Sequence, residues 1–254
     1  MSASATTTVT ATAISTPRRG AATATPVEAV LFDLDGTLLD TAADIALALR
    51  RAFADRGLVS PSDAAVRQMI GKGSPTLIAR SLAACGVAPD PAVSAALLEG
   101  FLHHCGRLEA LGDSTALAYP GVRETLPVLA SAGLALAVVT NKYQRYAGAL
   151  LDRLGLAGYF ALVVGGDTCE RRKPDPQPLL WACERLGVDA ARAVMVGDSI
   201  NDVQAARAAG LRVYCVPYGY NEGQEPRLLP CDGLIDTIAR LPAMWGLGAA
   251  EPPA

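Results

Sequence analysis

The chain has 254 residues, 51% of them hydrophobic and 5% aromatic, and a net charge of −3. That length supports a well-buried core in one large or two modest domains. The weakly acidic balance argues against a nucleic-acid-binding surface, and no apolar run reaches the roughly 18 residues a membrane span requires.

Residues 1–25 form a Ser/Thr/Ala tract whose only charged side chains are Arg18 and Arg19. Such a composition predicts a disordered tail. It faintly resembles an organelle transit peptide, but a floppy extension or a misplaced start codon is the plainer reading. Six cysteines (Cys85, Cys105, Cys169, Cys183, Cys215 and Cys231) are spread without a CxxC pair. They read as reduced thiols of a cytoplasmic protein.

The first strand is expected at Ala29–Leu34, within "AVLFDLDGTLLDT". It is hydrophobic enough to be buried, yet it ends in Asp33 and Asp35, so something nearby must offset the burial of like charge. From about Thr41 to Gly112 no strand is convincing. Asp44–Arg56, Ser62–Ile70, Ser74–Cys85 and Pro91–Leu108 instead carry apolar residues at helical spacing. Residues 41–112 therefore read as a small helical cap domain inserted after the first strand, a cover able to exclude water from that strand's end.

The chain returns through "YPGVRETLPVLASAG", residues 119–133, with a Pro-Gly turn and Gly133 closing a helix. Pro127 is awkward there and calls for a late helix start or a kink. Further strands follow at Leu134–Val139, Phe160–Val164, Ala193–Val196 and Arg212–Val216, most of them separated by helix-length segments. Near-continuous hydrophobic strands alternating with helices are the pattern of an α/β fold, a Rossmann-like parallel sheet covered on both faces. The core is assigned to residues 26–40 and 113–245, and residues 246–254 to a flexible C-terminus. In such sheets ligands bind at the carboxyl ends of the strands.

Four places at or just beyond those ends carry polar groups: Asp33 with Asp35, Thr140 with Asn141, Lys173, and Asp198 with Asp202. Each has a plain structural alternative. Thr140 or Asn141 could cap a helix, Lys173 could be a solvated loop lysine, and Asp198 and Asp202 could be a cap and a first-turn acid. Together, however, four carboxylates at neighbouring strand ends repel unless a cation sits among them. Oxygen donors without a His/Cys partner set favour Mg²⁺. Mg²⁺, a lysine and a hydroxyl-amide pair describe a pocket for a phosphoryl group.

In that order, "FDLDGTLLDT", "VVTNK", "RRKPDP" and "MVGDSIND" resemble the four motifs of the haloacid dehalogenase superfamily of phosphotransferases, over about Val27 to Asp236. The resemblance implies Asp33 as nucleophile, Asp35 as general acid and then base, and Lys173 as the cation beside them. It implies Mg²⁺ held by Asp33, Asp198 and the main-chain carbonyl of Asp35, with Asp202 orienting the metal's waters and Thr140 and Asn141 binding phosphate oxygens. An acid at Asp35 disfavours the dehalogenase, phosphonate-cleaving and ion-pump branches of the superfamily.

"GKGSPTLIARSL", "YPGV", "GGD", "RRKPDPQPLL" and "PYGYNEG" further resemble the phosphoglycolate phosphatase group. Other phosphatases or phosphomutases of this branch, acting on sugar phosphates, pyrophosphate or amino-sugar phosphates, are the alternative. Where such relatives often carry Asn between the two cap glycines, this chain has Lys72. Lys72, or the amides at the helix start after it, is expected to hold a substrate carboxylate; a solvent-facing loop lysine is the alternative. The partner expected is a small phosphate ester, with no nucleic acid or membrane, on a monomer or homodimer. His103, His104, Trp181 and Trp245 read as structural, and Arg171 and Arg172 either face the mouth of the site or are solvated.

Overall fold

Ala29, Val30, Leu31 and Phe32 form β1 (Ala29–Phe32), and all are fully buried. Successive strand side chains point to opposite faces, so a strand covered on both sides must be apolar throughout. Val30 and Phe32 enter one cluster with Leu126, Val138 and Leu150, whereas Ala29 and Leu31 enter another with Val139, Leu179 and Ala206. The computed structural model describes residues 26–247 apart from residue 89. The tail expected at 1–25 and residues 248–254 lie outside the described residues.

After β1 come a short β2 (Leu39–Asp40), then α1 (Ala42–Ala54), α2 (Asp63–Arg67), α3 (Ser74–Ala84), α4 (Pro91–Leu111) and a short β3 (Leu117–Ala118). The chain then alternates through α5 (Val122–Ser131), β4 (Ala135–Val139), α6 (Gln144–Arg153), β5 (Leu162–Val164), α7 (Gln177–Leu186), β6 (Ala193–Gly197), α8 (Ile200–Ala209) and β7 (Arg212–Cys215). β8 (Gly233–Leu234) and α9 (Leu241–Met244) follow. Six strands lie in the order β5-β4-β1-β6-β7-β8, all parallel, with β1 bonded between β4 and β6. The α/β expectation of a parallel sheet covered on both faces holds.

Two details differ from expectation. The strand expected from Phe160 starts only at Leu162; Phe160 instead sets its ring edge-on to Phe32 at 6.3 Å. α5 starts at Val122 and contains Pro127, so there is no late start. The bond that proline forgoes belongs to the carbonyl of Arg123, an exposed residue, which limits the loss.

Helices α1 to α4 have a core of their own, built from Leu49, Phe53, Ile78, Leu97 and Phe101 among others. Two polar hubs tie this segment to the sheet. Asp44, in the first turn of α1, accepts hydrogen bonds from Ser114 Oγ (2.5 Å), Thr115 N (2.8 Å) and Thr115 Oγ1 (2.7 Å), stapling the outgoing chain to the returning one. Burial pushes the Asp44 carboxyl up, but these bonds outweigh it and hold it below its ordinary value. The staple's contribution is therefore present at neutral pH and lost as pH falls through that depressed value.

The second hub is Tyr220, in the loop after β7. Its hydroxyl accepts from Thr41 N (2.7 Å) and Ala42 N (3.0 Å) and donates to Asp40 (2.5 Å), and the Arg67 guanidinium lies 4.5 Å above its ring. Tyr220→Phe keeps the ring, takes the acceptor from the Thr41 amide and leaves the Ala42 amide only its longer bond to Asp40 Oδ1 at 3.4 Å. We expect it to cost about 1–3 kcal/mol, read as a lower urea midpoint with an unchanged m-value.

Candidate active site

The carboxyl ends of three adjacent central strands converge. Asp33 directly follows β1, Thr140 and Asn141 follow β4, and Asp198 follows β6, with Asp202 in the first turn of α8. Lys173 arrives on the loop between β5 and α7, and all six side chains are buried. Gly36 shows how tightly this end is built. At φ +89° it turns the chain back toward Asp198, and a Cβ there would lie 2.4 Å from that carboxylate's Oδ2, so only glycine fits.

Lys173 Nζ stands 3.0 Å from Asp33 Oδ1 and 2.6 Å from Asp202 Oδ1, and is 2% exposed. Burial works against its charge, but Asp202 and Asp33 outweigh it and raise its pKa. Asp202 Oδ2 accepts from the amides of Asp198 and Ser199 and from the Ser199 hydroxyl, closing a capping box on α8. Asp202 is thus the fixed post that positions Lys173. Asp33 Oδ1 takes both Lys173 and the Leu34 amide at 2.7 Å, and Oδ2 is the oxygen they leave open.

Charge at this end does not balance among the described residues. Asp33, Asp198 and Asp202 each offer an oxygen, all within 4.8 Å of one another, against one buried lysine. Burial pushes Asp33 up to about 6, against the pull of Lys173 and with Asp202 adding to the rise. Asp198 is pushed well above its ordinary value by burial and then by Asp202 and Asp33, because its donors, Thr37 Oγ1 (3.0 Å) and Tyr220 N (2.5 Å), carry no charge. Hard oxygen donors short of positive charge fit a divalent cation. Asp35 stands apart from this trio. Its carboxylate takes Thr41 Oγ1 (2.6 Å) and Lys142 Nζ (3.1 Å), which leaves its main-chain carbonyl as the group able to join a metal shell.

A cavity lies over this end. Its floor includes Asp33, Asp35, Thr140, Asn141 and Lys142, and Ile45, Ile70, Leu77, Phe101 and Leu102 from the helical segment are among its walls. Thr140 is placed to meet a ligand there. Asn141 is anchored through its side chain. Its Nδ2 is spent on the carbonyls of Gly71 and Lys173, both at 2.9 Å, and its buried Oδ1 has no partner. An amide oxygen repels a phosphate oxygen, so the group Asn141 offers a phosphate is its main-chain N–H.

Lys72 needs correction as a site residue. It does not line the cavity; its Nζ pairs with Glu222 at 3.2 Å, and Glu222 also holds Arg80 at 2.8 Å. The glycine pair around it does reach the site, since Gly71, Gly73 and Ser74 line the cavity at the start of α3. Arg171 pairs with Asp175 at the surface, and the exposed Arg172 lies against Gly73. His104 bonds Asp55, and neither histidine belongs to a metal-binding group among the described residues. Trp181 and Trp245 pack partly buried against the two sheet cores. The six cysteines are free thiols.

Two residues at this site escaped the sequence reading. Lys142 follows the expected phosphate-binding pair and faces the cavity, a signal present in "VVTNK" but not used. Tyr220 lies in "PYGYNEG", where nothing marks its main-chain amide as a partner of Asp198. No described helix is long and apolar enough to cross a membrane.

Comparison with known proteins matches residues 30–216 to the family profile of haloacid dehalogenase-like hydrolases. A phosphoglycolate phosphatase of Thiobacillus denitrificans is 42% identical over 220 residues, covering 86% of this chain and 96% of the relative. Among solved structures, a predicted phosphoglycolate phosphatase from Haemophilus somnus superposes with a TM-score of 0.79 at 29% identity, covering 86% of this chain and 97% of the other. CbbY from Rhodobacter sphaeroides, in complex with phosphate, gives a TM-score of 0.73 at 29% identity, covering 85% and 96%.

Proposed function

The chain belongs to the haloacid dehalogenase-like hydrolases, and from that premise we propose that it is a Mg²⁺-dependent phosphatase converting 2-phosphoglycolate to glycolate and phosphate. The observation that carries the reading is the trio of buried carboxylates around one lysine, with Asp33 of that trio opening onto a cavity. The name carried by the Thiobacillus relative supports the substrate.

Asp33 Oδ2 attacks phosphorus, and the bond from phosphorus to the ester oxygen breaks as the aspartyl-phosphate forms. Asp35 hands a proton to the departing alkoxide, then takes one from the water that attacks the acyl phosphate and frees Asp33. Lys173 offsets the charge shared by Asp33 and the phosphoryl oxygens, and Asp202 keeps the lysine in place. Thr140 Oγ1 and the Asn141 N–H receive phosphoryl oxygens. Mg²⁺, held by Asp33, Asp198 and the Asp35 carbonyl, would supply the remaining positive charge that phosphoryl transfer needs. The helical segment acts as a cap, residues 41–112, whose apolar wall keeps other water away from the acyl phosphate. Free thiols suit a reducing compartment, the cytoplasm. The chain needs no partner but its substrate, as a monomer or homodimer.

Phosphate release across a panel of small esters tests this. We expect turnover that disappears with EDTA, returns with Mg²⁺, and favours 2-phosphoglycolate by tenfold or more, about 1.4 kcal/mol in transition-state binding. Equal or better turnover of another ester would move the substrate, and metal-independent turnover would remove Mg²⁺ from the reading.

A further inference from the structure

An acid substrate brings a charge that the reaction itself does not use. In 2-phosphoglycolate the carboxylate sits on the carbon attached to the bridging oxygen, so whatever protonates that oxygen has the carboxylate beside it. An anion in an apolar pocket must find a cation or several donors there. Much of the wall over this end is aliphatic or aromatic: Ile45, Ile70, Leu77, Phe101 and Leu102. Among the described residues lining the cavity the cation is Lys142. Its Nζ lies 3.1 and 3.2 Å from the two oxygens of Asp35, the proposed acid, and its side chain is 13% exposed. The other cations nearby, Lys72 and Arg172, lie outside the lining.

We propose that Lys142 is the specificity residue for acid substrates, its ammonium receiving the carboxylate of the leaving group beside Asp35. The assignment rests on the phosphatase reading above. An ammonium has three protons, and Asp35 engages its oxygens from one side, so a second carboxylate is accommodated without displacing the first. The start of α3, where Gly73 and Ser74 line the same cavity, adds a field of the same sign.

The test compares 2-phosphoglycolate with ethyl phosphate, which has the same bridge and length but no charge on the leaving group. Any effect of Lys142 on Asp35 slows both esters alike and cancels in the ratio of their kcat/KM values. Lys142→Met is expected to reduce that ratio at least tenfold, mainly through KM for the acid, and Lys142→Arg to restore a good part of it. Turnover of ethyl phosphate by the same preparations reports that the variants are folded. An unchanged ratio in both variants, with the wild type still preferring the acid, would overturn the role of Lys142 and leave the phosphatase reading standing. A wild type that turns over ethyl phosphate as well as 2-phosphoglycolate would overturn the role of Lys142 and the choice of 2-phosphoglycolate as substrate, leaving the phosphatase chemistry in place.

Discussion

Asp33→Asn is expected to lower phosphate release by about a thousandfold or more, because it removes the attacking oxygen's charge while leaving every other group in place. Its stability should move the other way. Without a metal ion, burial pushes the Asp33 carboxyl up to about 6, so the folded state holds this proton more tightly than the unfolded chain. The stabilisation from that proton is complete below the unfolded value and is lost as pH rises through about 6. At neutral pH, charged Asp33 is a liability that asparagine removes. Thermal unfolding in EDTA should therefore show the variant at least as stable as the wild type at pH 7, with a flatter pH dependence below that. Adding Mg²⁺ should reverse the order, since the wild type gains more from binding the ion. Turnover by the variant within tenfold of wild type would remove Asp33 from the nucleophile's role.

Lys173→Met should produce the largest loss of stability. The substitution keeps the length of the side chain but leaves Asp33, Asp198 and Asp202 buried without the ammonium now 3.0 Å from the first and 2.6 Å from the last. Breaking a buried pair by removing one partner costs about 3–5 kcal/mol. The cost should be greatest at high pH, where the carboxylates are ionised, and should shrink in acid as they take up protons. Urea unfolding at pH 5 and pH 8, with and without Mg²⁺, reads this directly. A penalty independent of both pH and Mg²⁺ would mean the lysine's worth lies in packing rather than charge. Asp202→Asn in the same background separates the two pairs, since residues in one network couple strongly.

The sheet was legible because β1, β4 and β6 are buried on both faces and so leave nearly unbroken apolar runs. The site was legible for a related reason. Asp33, Thr140 and Asp198 interrupt or end such runs, and charge at the edge of a buried strand has few structural uses. What stayed hidden depends on contacts remote in sequence. Nothing in the neighbourhood of Tyr220 reveals that its hydroxyl meets Thr41, 179 residues away. Lys72 and Lys142 look alike as letters in glycine- or polar-rich turns. Only the placement of Glu222, which takes Lys72, and of Asp35, which takes Lys142, tells them apart. Asn141 was placed correctly at the strand end, but which of its atoms stays free follows from the carbonyls of Gly71 and Lys173, and no local pattern encodes those. β8 is two residues long, too short to leave a period.

The position of β1 at the centre of the sheet also bears on how the chain is made. Ala29 pairs with Ala135 on one side and Ala193 on the other. At roughly 5–20 residues per second, synthesis puts about five to twenty seconds between the appearance of β1 and its first partner, and longer for the second. The helical segment has no such wait, because apart from Tyr220 its core residues fall between Ile45 and Leu108. During translation the roof of the cavity can therefore assemble while the strand bearing the nucleophile is still an unpaired apolar ribbon. On a ribosome stalled before β4, protease protection should begin in α1 to α4 and leave β1 open, making β1 the stretch for which a chaperone has most to do.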